Sequence, residues 1–289
     1  MPALLILATT FLGLAEGIFI KRYNSKHDKG GFIFTAMICF FSMTVFVVSD
    51  TNGFNIPPTL WIYAIIAGIL YCSASFLTYV ALGCGSFAMS MLILSYALVF
   101  SIGYGLFFLN EPATVFTYIG LALIMVSLYL TKTKKKSLAT EEKKISAKWV
   151  ICIGLSVLGS GMFSVICRMQ QVVFNNSCTN EFMVIALGFS TVVLLIIGLI
   201  KDGKDLGYVM KYGAVWTALA GCSNGINNAL SMLLHTMMPI SLSSPIKAGV
   251  KVVISFIISI VIFKEKFEKR QIVGVALGAA ALVLLNLKL

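Results

Sequence analysis

Runs of about 20 apolar residues recur from one end of the chain to the other, and this repetition restricts the fold more than any other feature. A helix needs roughly 20 mostly apolar residues to cross the hydrocarbon core of a bilayer. Hydrophobic residues make up 59% of the chain and charged residues only 11%, whereas soluble domains carry about 25% charged residues. The sequence therefore predicts an all-α membrane protein.

Ten transmembrane helices are predicted, and one charged linker separates them into two groups of five. The linker is residues 132–147, KTKKKSLATEEKKISA, which follows a first half at 1–131 and precedes a second half at 148–289. The predicted spans are 2–20, 31–49, 59–81, 86–109, 112–131, 148–168, 181–200, 211–236, 240–263 and 270–288.

The two halves resemble each other in sequence. FFLNEPATVFTYIGLALIM (107–125) aligns with VIFKEKFEKRQIVGVALGA (261–279), which pairs Glu111 with Glu265. Because each half has an odd number of spans, the second half enters the membrane from the side opposite to the first. The predicted fold is therefore two inverted five-helix repeats around a central cavity, a plan that is typical of secondary transporters.

Lysine and arginine residues are concentrated in the loops after the odd-numbered spans, including the linker. Cytoplasmic loops carry such an excess, so the linker is predicted to be cytoplasmic and both termini external, in the plasma (cell inner) membrane. The net charge of +11 then reflects topology and does not indicate a nucleic-acid partner.

The chain is similar over its whole length to the EamA-type members of the drug/metabolite transporter superfamily. The resemblance is carried by the five-plus-five layout and by a glutamate at the end of spans 4 and 9, in FFLNEP (107–112) and IFKEKF (262–267). It implies a secondary transporter whose cavity is lined by spans 1, 3, 4, 6, 8 and 9. It also implies that Glu111 and Glu265 are structural residues at helix ends, not ligands.

Two lysines lie inside span 9, where a charge is costly. A lysine at the middle of a spanning helix costs about 2.5–3.5 kcal/mol on insertion scales, so such residues face protein or water and mark substrate pathways. Lys247 and Lys251 are four residues apart and share one helix face. Glu16 lies well inside span 1, at a depth that allows a pair with Lys251. An ion pair that only locks span 1 to span 9 is the structural alternative.

The three charges leave one net positive charge, which favours a substrate with a carboxylate, phosphate or other anionic group. Glu16 is the candidate carrier of a coupling proton, and a neutral lysine is the alternative carrier.

Polar residues at helical spacing in spans 6 and 8 are predicted to line the same cavity, although interhelical hydrogen bonding would explain each of them singly. They are Ser160, Ser164, Asn224 and Asn228. Tyr79 in span 3 and Tyr96 in span 4 are candidates for stacking on an organic substrate, with ordinary packing as the alternative.

These residues predict a secondary active transporter of a small organic metabolite, working by alternating access. Its predicted partners are the small-molecule substrate, a coupling proton and the lipid bilayer, and no cofactor is predicted. An exporter of organic cations or drugs that uses Glu16 is the alternative, and a non-transporting membrane scaffold ranks below both. The GVALG motif (274–278) fits either close helix packing or a homodimer contact.

The chain is not expected to be an enzyme. Residues 221–225, GCSNG, match the GxSxG pattern of serine hydrolases, but they fall within a predicted span. That pattern requires a strand-to-helix turn in an α/β sheet. The sequence contains no metal-ligand motif.

Overall fold

The computed structural model describes residues 2–27, 29–49, 56–110, 115–130, 147–262 and 269–286, which are almost entirely helical and contain no strand. Glu111, Glu265 and all but the last residue of the predicted linker 132–147 lie outside the described residues. The prediction of an all-helical protein is confirmed for the described part of the chain.

The longer helices are numbered in chain order, and most of them lie where a span is predicted. They are α1 (Pro2–Lys26), α2 (Gly31–Ser49), α3 (Pro58–Cys84), α4 (Phe87–Phe108), α5 (Val115–Leu130), α6 (Ala147–Val173), α7 (Thr179–Asp202), α8 (Ala214–Met237), α9 (Ile240–Val261) and α10 (Lys269–Asn286).

Seven helical stretches of the described residues are long and apolar enough to cross a membrane. One of them, Thr179–Met237, is a run of 59 residues that contains both α7 and α8. At about 1.5 Å per residue this run is far longer than the roughly 30 Å of a bilayer core. A 3₁₀ turn at Gly203–Asp205 and a π turn at Val209–Gly213 separate α7 from α8, and both helices pack against α2. The structure thus supports many passes, while the count of ten spans stays a prediction.

Helix α4 is interrupted near its middle. Its two α-helical parts, Phe87–Leu94 and Leu98–Phe108, are joined by a 3₁₀ turn at Ser95–Ala97. The Ser95 hydroxyl donates to the carbonyl of Met91 at 2.8 Å, one turn back. Since α4 contains no proline, the commonest sequence signal of a broken helix is missing here.

Helices of the first half pack mainly against helices of the second half. The pairs with the most extensive packing are α2 with α7, α3 with α6, α1 with α8, and α5 with α10. In addition, α8 packs against α2 and α7 against α3, while α9 contacts α1 and α4, and α4 contacts α6. The two halves therefore interleave and do not form separate bodies.

Helices α2 and α7 run in opposite directions. The backbone N–H of Phe32, at the start of α2, donates to Asp202 Oδ2 at the end of α7 at 3.1 Å. At the other end of the pair, Asn180 Nδ2 near the start of α7 donates to the carbonyl of Ser49, the last residue of α2, at 3.3 Å.

Helices α1 and α6 are also antiparallel. Lys21 near the end of α1 donates to the Gly85 carbonyl at 3.1 Å, and Trp149 near the start of α6 packs directly against Gly85. Trp149 Nε1 also donates to Ser90 Oγ near the start of α4 at 3.2 Å. The end of α1 and the beginning of α6 therefore lie on the same side of the protein.

Two glycines allow α8 to approach α2 closely. A Cβ added at Gly221 would lie 2.5 Å from Phe41 Cβ and 2.7 Å from the Ile38 carbonyl oxygen. A Cβ at Gly225 would lie 2.8 Å from the Ser42 carbonyl oxygen. Any larger residue at these positions would push the two helices apart, so small residues at the interface hold α8 against α2.

Large apolar side chains also cover the outside of the protein. Val48, Phe107 and Ile200 are 83%, 81% and 79% exposed. A soluble protein rarely exposes extended apolar surface, whereas in a membrane such side chains pack against lipid tails.

Candidate functional site

A cavity of about 330 Å³ lies at the centre of the helix bundle. Residues of α1, α2, α3, α4, α6, α8 and α9 line it. These include the six helices that the family resemblance implies, with Thr35 and Ile38 of α2 in addition. The formally charged residues in this described lining are Glu16, Lys247 and Lys251.

The lysine stripe of α9 faces the cavity and the protein interior. Lys247 Nζ donates to Ser231 Oγ of α8 at 2.6 Å, and Lys251 lies one turn further along the wall. The serines that continue the stripe at spacings of four, Ser243 and Ser255, are fully buried. The polar face of α9 is therefore turned away from lipid, as its energetic cost requires.

Glu16 lies on α1, which packs against α9. Its carboxyl group faces the side chain of Asn224 and interacts electrostatically with Lys251. Glu16 and Lys251, which are predicted from the sequence to pair, thus line the same cavity. Their opposite charges offset part of the free-energy cost of burying them.

Asn224 is the centre of a hydrogen-bond cluster that joins α2, α3 and α8. Its Oδ1 accepts from Tyr71 Oη at 2.5 Å, from Asn228 Nδ2 at 2.9 Å and from Ser42 Oγ at 3.0 Å. The Ser42 hydroxyl also lies 2.8 Å from the Gly221 carbonyl. Asn228, one turn after Asn224, lines the cavity beside it.

The serine stripe of α6 is divided between the cavity and a helix interface. Ser160 and Ser164 line the cavity, and Ser164 Oγ donates to the Ser160 carbonyl at 3.0 Å. Ser156, one turn earlier, is buried against α3, where its hydroxyl is 2.6 Å from Thr78 Oγ1 and donates to the Ala74 carbonyl at 3.0 Å. Only the later part of the stripe therefore faces the cavity.

The two tyrosine candidates have different positions. Tyr79 lines the cavity, and its ring packs 5.4 Å from that of Phe34, between centroids. Tyr96 does not belong to the described lining. It packs against an apolar cluster that includes Leu98 and Ile246, whereas its neighbours Ser95 and Ala97 line the cavity. The lining residues Met91, Leu94, Ser95, Leu98 and Ser101 follow helical spacing, and Tyr96 lies off that face. The predicted contact of Tyr96 with substrate is not supported.

Several polar residues of the lining were missed by the sequence argument. They are Thr9, Thr10, Thr35, Thr78, Ser101, Asn227 and Ser244. Asn227 lies next to Asn228 in the sequence, and the spacing rule that selected positions 224, 228 and 231 passes over it. Threonines in apolar helices carry no clear signal, because they commonly bond back to their own helix, as Thr10 Oγ1 does to the Ile6 carbonyl at 2.7 Å.

The cavity ends in a layer of packed aromatic residues near the end of α1. Tyr23 and Phe34 are fully buried, and their rings stack with centroids 4.0 Å apart. Phe87 is fully buried in the same cluster, which also contains Ile20 and Tyr79 from the cavity wall. This layer separates the cavity from the side of the protein on which α1 ends. At the opposite end, Lys247 and His235 are only partly buried.

The described residues do not form a serine-hydrolase elbow or a metal site. Residues 221–225 lie inside α8, so GCSNG does not form the strand-to-helix turn of a hydrolase. Among the described residues, no group of three or more His, Cys, Asp or Glu side chains is placed to hold a metal ion.

Comparisons with known proteins identify a family and a fold. A family model described as "Sugar transport protein" matches residues 10–287. The comparison with curated proteins gives no match. Of the solved structures, 28 chains match. One of these, titled only "Crystal structure of protein", has a TM-score of 0.69 and 11% sequence identity, with 99% of this chain and 96% of that chain covered. At that identity the likeness shows the fold alone.

Proposed function

Because the chain belongs to the sugar transport protein family, we propose that this multi-pass membrane protein is a secondary active transporter of a sugar-like metabolite and works by alternating access. One observation carries the proposal: a central cavity combines many neutral hydrogen-bonding groups with Glu16, Lys247 and Lys251. Hydroxyl-rich molecules need such groups from several directions, and charged residues inside membrane helices mark substrate or ion pathways.

The packing of the helices supports an arrangement in two inverted repeats of five, and with it a common scaffold with the EamA-type transporters. Exchanging α1–α5 with α6–α10 converts the contact of α3 with α6 into that of α8 with α1, which is also present. The same exchange relates α8–α2 to α3–α7, and α4–α6 to α9–α1. The antiparallel pairs α1–α6 and α2–α7 agree with an inversion. Rocking of such repeats exposes a midplane site to each side in turn.

The charges of the cavity favour a substrate that carries an anionic group, such as a sugar acid or a sugar phosphate. Lys247 and Lys251 together bind this group, while Glu16 offsets one of their charges. Asn228, Ser160, Ser164 and Tyr79 line the wall that surrounds the rest of the substrate. Glu16 is also the proposed carrier of a coupling proton, since it is the carboxyl group of the described cavity lining.

The orientation proposed from charge places both termini outside and residues 132–147 in the cytoplasm of a plasma (cell inner) membrane. A homodimer through the GVALG motif is not part of the proposal. The carbonyl of Gly274 accepts from Ser127 Oγ at 2.5 Å, so this part of α10 is already in contact with α5 of the same chain.

Uptake into liposomes tests the proposed function. Purified protein would be reconstituted and given radiolabelled D-glucose, D-glucuronate, D-glucose 6-phosphate and the organic cation ethidium. We expect uptake of at least one sugar, with the anionic sugars preferred, and loss of this uptake in Lys251→Ala. Lys204→Ala is the matched control, because Lys204 is exposed and outside the cavity lining.

Two results would contradict this assignment. Ethidium flux that depends on Glu16, without sugar flux, would favour an exporter of organic cations. Absence of flux for all four compounds would favour a membrane scaffold.

A further inference from the structure

We propose that Asn227 is the residue that selects for hydroxyl groups on the substrate, and that Asn224 joins helices α2, α3 and α8 and does not bind substrate. The inference rests on the proposed function and assigns distinct roles to two asparagines of one helix. The residue spacing in span 8 does not single out Asn227, and the family match carries no information about it.

The acceptor capacity of Asn224 is used within the protein. Its Oδ1 accepts from Tyr71, Asn228 and Ser42, at 2.5, 2.9 and 3.0 Å. A side-chain carbonyl oxygen has two lone pairs, and Tyr71 and Asn228 alone fill both, so no acceptor site remains for a substrate hydroxyl. The single hydrogen of the Ser42 hydroxyl is shared between Asn224 Oδ1 and the nearer Gly221 carbonyl. Asn224 therefore serves contacts between helices.

The Asn227 amide is in a different situation, although it lies only three residues further along α8. Its backbone carbonyl accepts from Ser231 Oγ at 2.6 Å, while its Oδ1 lies 3.5 Å from the same hydroxyl, at the limit of a hydrogen bond. Among the described residues, its Nδ2 donates to no protein acceptor, and the side chain lines the cavity. One donor group and one acceptor are thus available to a ligand.

Gly13 of α1 lines the cavity next to this amide. A Cβ added at Gly13 would lie 3.5 Å from Asn227 Nδ2 and 3.9 Å from its Cγ, which is ordinary van der Waals contact. A side chain at this position would therefore contact the amide at the cavity wall. A hydroxyl group both donates and accepts, so it matches an amide that offers both functions.

Asn227 also lies next to the proposed anchor of the anionic group. Ser231 contacts Asn227 through its hydroxyl and receives the hydrogen bond of Lys247 Nζ at 2.6 Å. A substrate held by its anionic group at Lys247 would bring a neighbouring hydroxyl to Asn227. The arrangement fits a sugar with the acid group and a hydroxyl close together on one side of the molecule.

Deoxy sugars test this contact directly. Uptake of D-glucose, D-glucuronate or D-glucose 6-phosphate, whichever the wild type takes up fastest, would be inhibited with D-glucose and with 2-deoxy-, 3-deoxy- and 4-deoxy-D-glucose. In the wild type, the analogue that lacks the contacted hydroxyl should inhibit about 3- to 10-fold more weakly than D-glucose. Asn227→Ala should reduce this difference to less than about 2-fold. Lys204→Ala, at an exposed position outside the cavity lining, is the control and should keep the wild-type difference between the analogues.

Gly13→Ala provides a second test that leaves Asn227 in place. The added methyl group is at ordinary contact distance from the amide, so the protein should keep its Tm. Because the methyl group narrows the cavity beside the Asn227 amide, the KM should rise by about 10-fold or more. A purely structural role of Asn227 would leave KM unchanged in this variant.

The possible failures are distinguishable. If the wild type takes up none of D-glucose, D-glucuronate and D-glucose 6-phosphate, the proposed function fails, and this inference fails with it. If the wild type is active but Asn227→Ala retains the wild-type pattern with the deoxy sugars, or Gly13→Ala retains the wild-type KM, the inference alone is overturned.

Discussion

Glu16, Lys247 and Lys251 hold charge inside the bundle, and the structure places hydrogen-bonding partners beside them. Lys247 donates to Ser231, and Glu16 faces both Asn224 and Lys251. All three side chains line a cavity and not the lipid-facing surface. A charged side chain inside a membrane span is energetically costly. It is found where another group or water compensates the charge, or where it takes part in transport. At the level of single residues, this cluster is therefore the centre of the proposed mechanism.

The first prediction concerns the coupling role of Glu16. Glu16→Gln keeps the size of the side chain but cannot release a proton. The variant should lose accumulation driven by a proton gradient while it retains exchange of labelled for unlabelled sugar. Both quantities are measured in the same liposomes, with Asp205→Asn, outside the described cavity lining, as the control. Accumulation against a gradient by Glu16→Gln would rule out this role.

The second prediction concerns the hydrogen bond from Tyr71 to Asn224. Tyr71→Phe removes only the hydroxyl that donates to Asn224 Oδ1 at 2.5 Å. Loss of one buried hydrogen bond should lower the unfolding free energy by about 1 kcal/mol. Thermal unfolding in detergent would measure the change against Tyr118→Phe, which alters a side chain that is 56% exposed. Equal Tm values for the two variants would contradict a stabilising hydrogen bond from Tyr71 to Asn224.

At the level of elements, α8 approaches α2 closely at Gly221 and Gly225. The same stretch of α8 carries Asn224, so the tight approach also brings Ser42 of α2 within 3.0 Å of the amide. Packing and hydrogen bonding are thus combined at one helix crossing. Helix α4, on the other side of the cavity, is instead interrupted at Ser95–Ala97.

The third prediction follows from this crossing. Gly221→Ala would place a methyl group 2.5 Å from Phe41 Cβ and 2.7 Å from a backbone carbonyl, which cannot move without shifting α2. Overpacking of this kind costs about 1–3 kcal/mol, and the Tm should fall accordingly. Gly154→Ala in α6 is the matched control, because a Cβ there meets nothing within 4 Å. A Tm for Gly221→Ala that equals that of the control would refute the close approach.

At the level of the whole molecule, the two halves are interleaved, and contacts between halves dominate the packing. The cavity is formed by helices of both halves, and an aromatic layer around Tyr23 and Phe34 closes one end of it. In an alternating-access cycle, this layer would separate while the opposite end of the cavity closes.

The fourth prediction concerns the orientation of the whole molecule in the membrane. Positive-inside bias places the charged linker in the cytoplasm. A cysteine introduced by Ser137→Cys should react with a membrane-impermeant maleimide in inside-out vesicles but not in intact cells. Labelling of the wild type, with its seven native cysteines, sets the background. Labelling of Ser137→Cys in intact cells would place the linker outside and would contradict the proposed topology.

Much of the helical framework could be predicted, because a spanning helix is specified by local composition. The range 240–263 was predicted for α9 and Ile240–Val261 is observed. Faces were also predictable where the helix is regular. Lys247, Lys251, Asn224 and Asn228 all line the cavity, since residues three or four apart share a face.

The rest depended on tertiary structure. Tyr96 packs against an apolar cluster while Ser95 and Leu98 face the cavity. Contact with α3 places Ser156 in a helix interface, while Ser160 remains in the cavity.

By itself, the sequence determined that the chain is helical, membrane-embedded and charged at a few interior positions, because these properties depend on composition and on a period of 3.6 residues. Only the tertiary structure decided which polar groups are satisfied within the protein. The spacing of α8 selects Asn224 as a ligand and passes over Asn227. Yet Tyr71 of α3 and Ser42 of α2 lie at hydrogen-bond distance from the Asn224 oxygen, whereas among the described residues the Asn227 Nδ2 donates to no protein acceptor. Whether a polar side chain has its hydrogen-bonding groups occupied depends on neighbours that are distant in sequence. The residue pattern of a single helix cannot predict these neighbours.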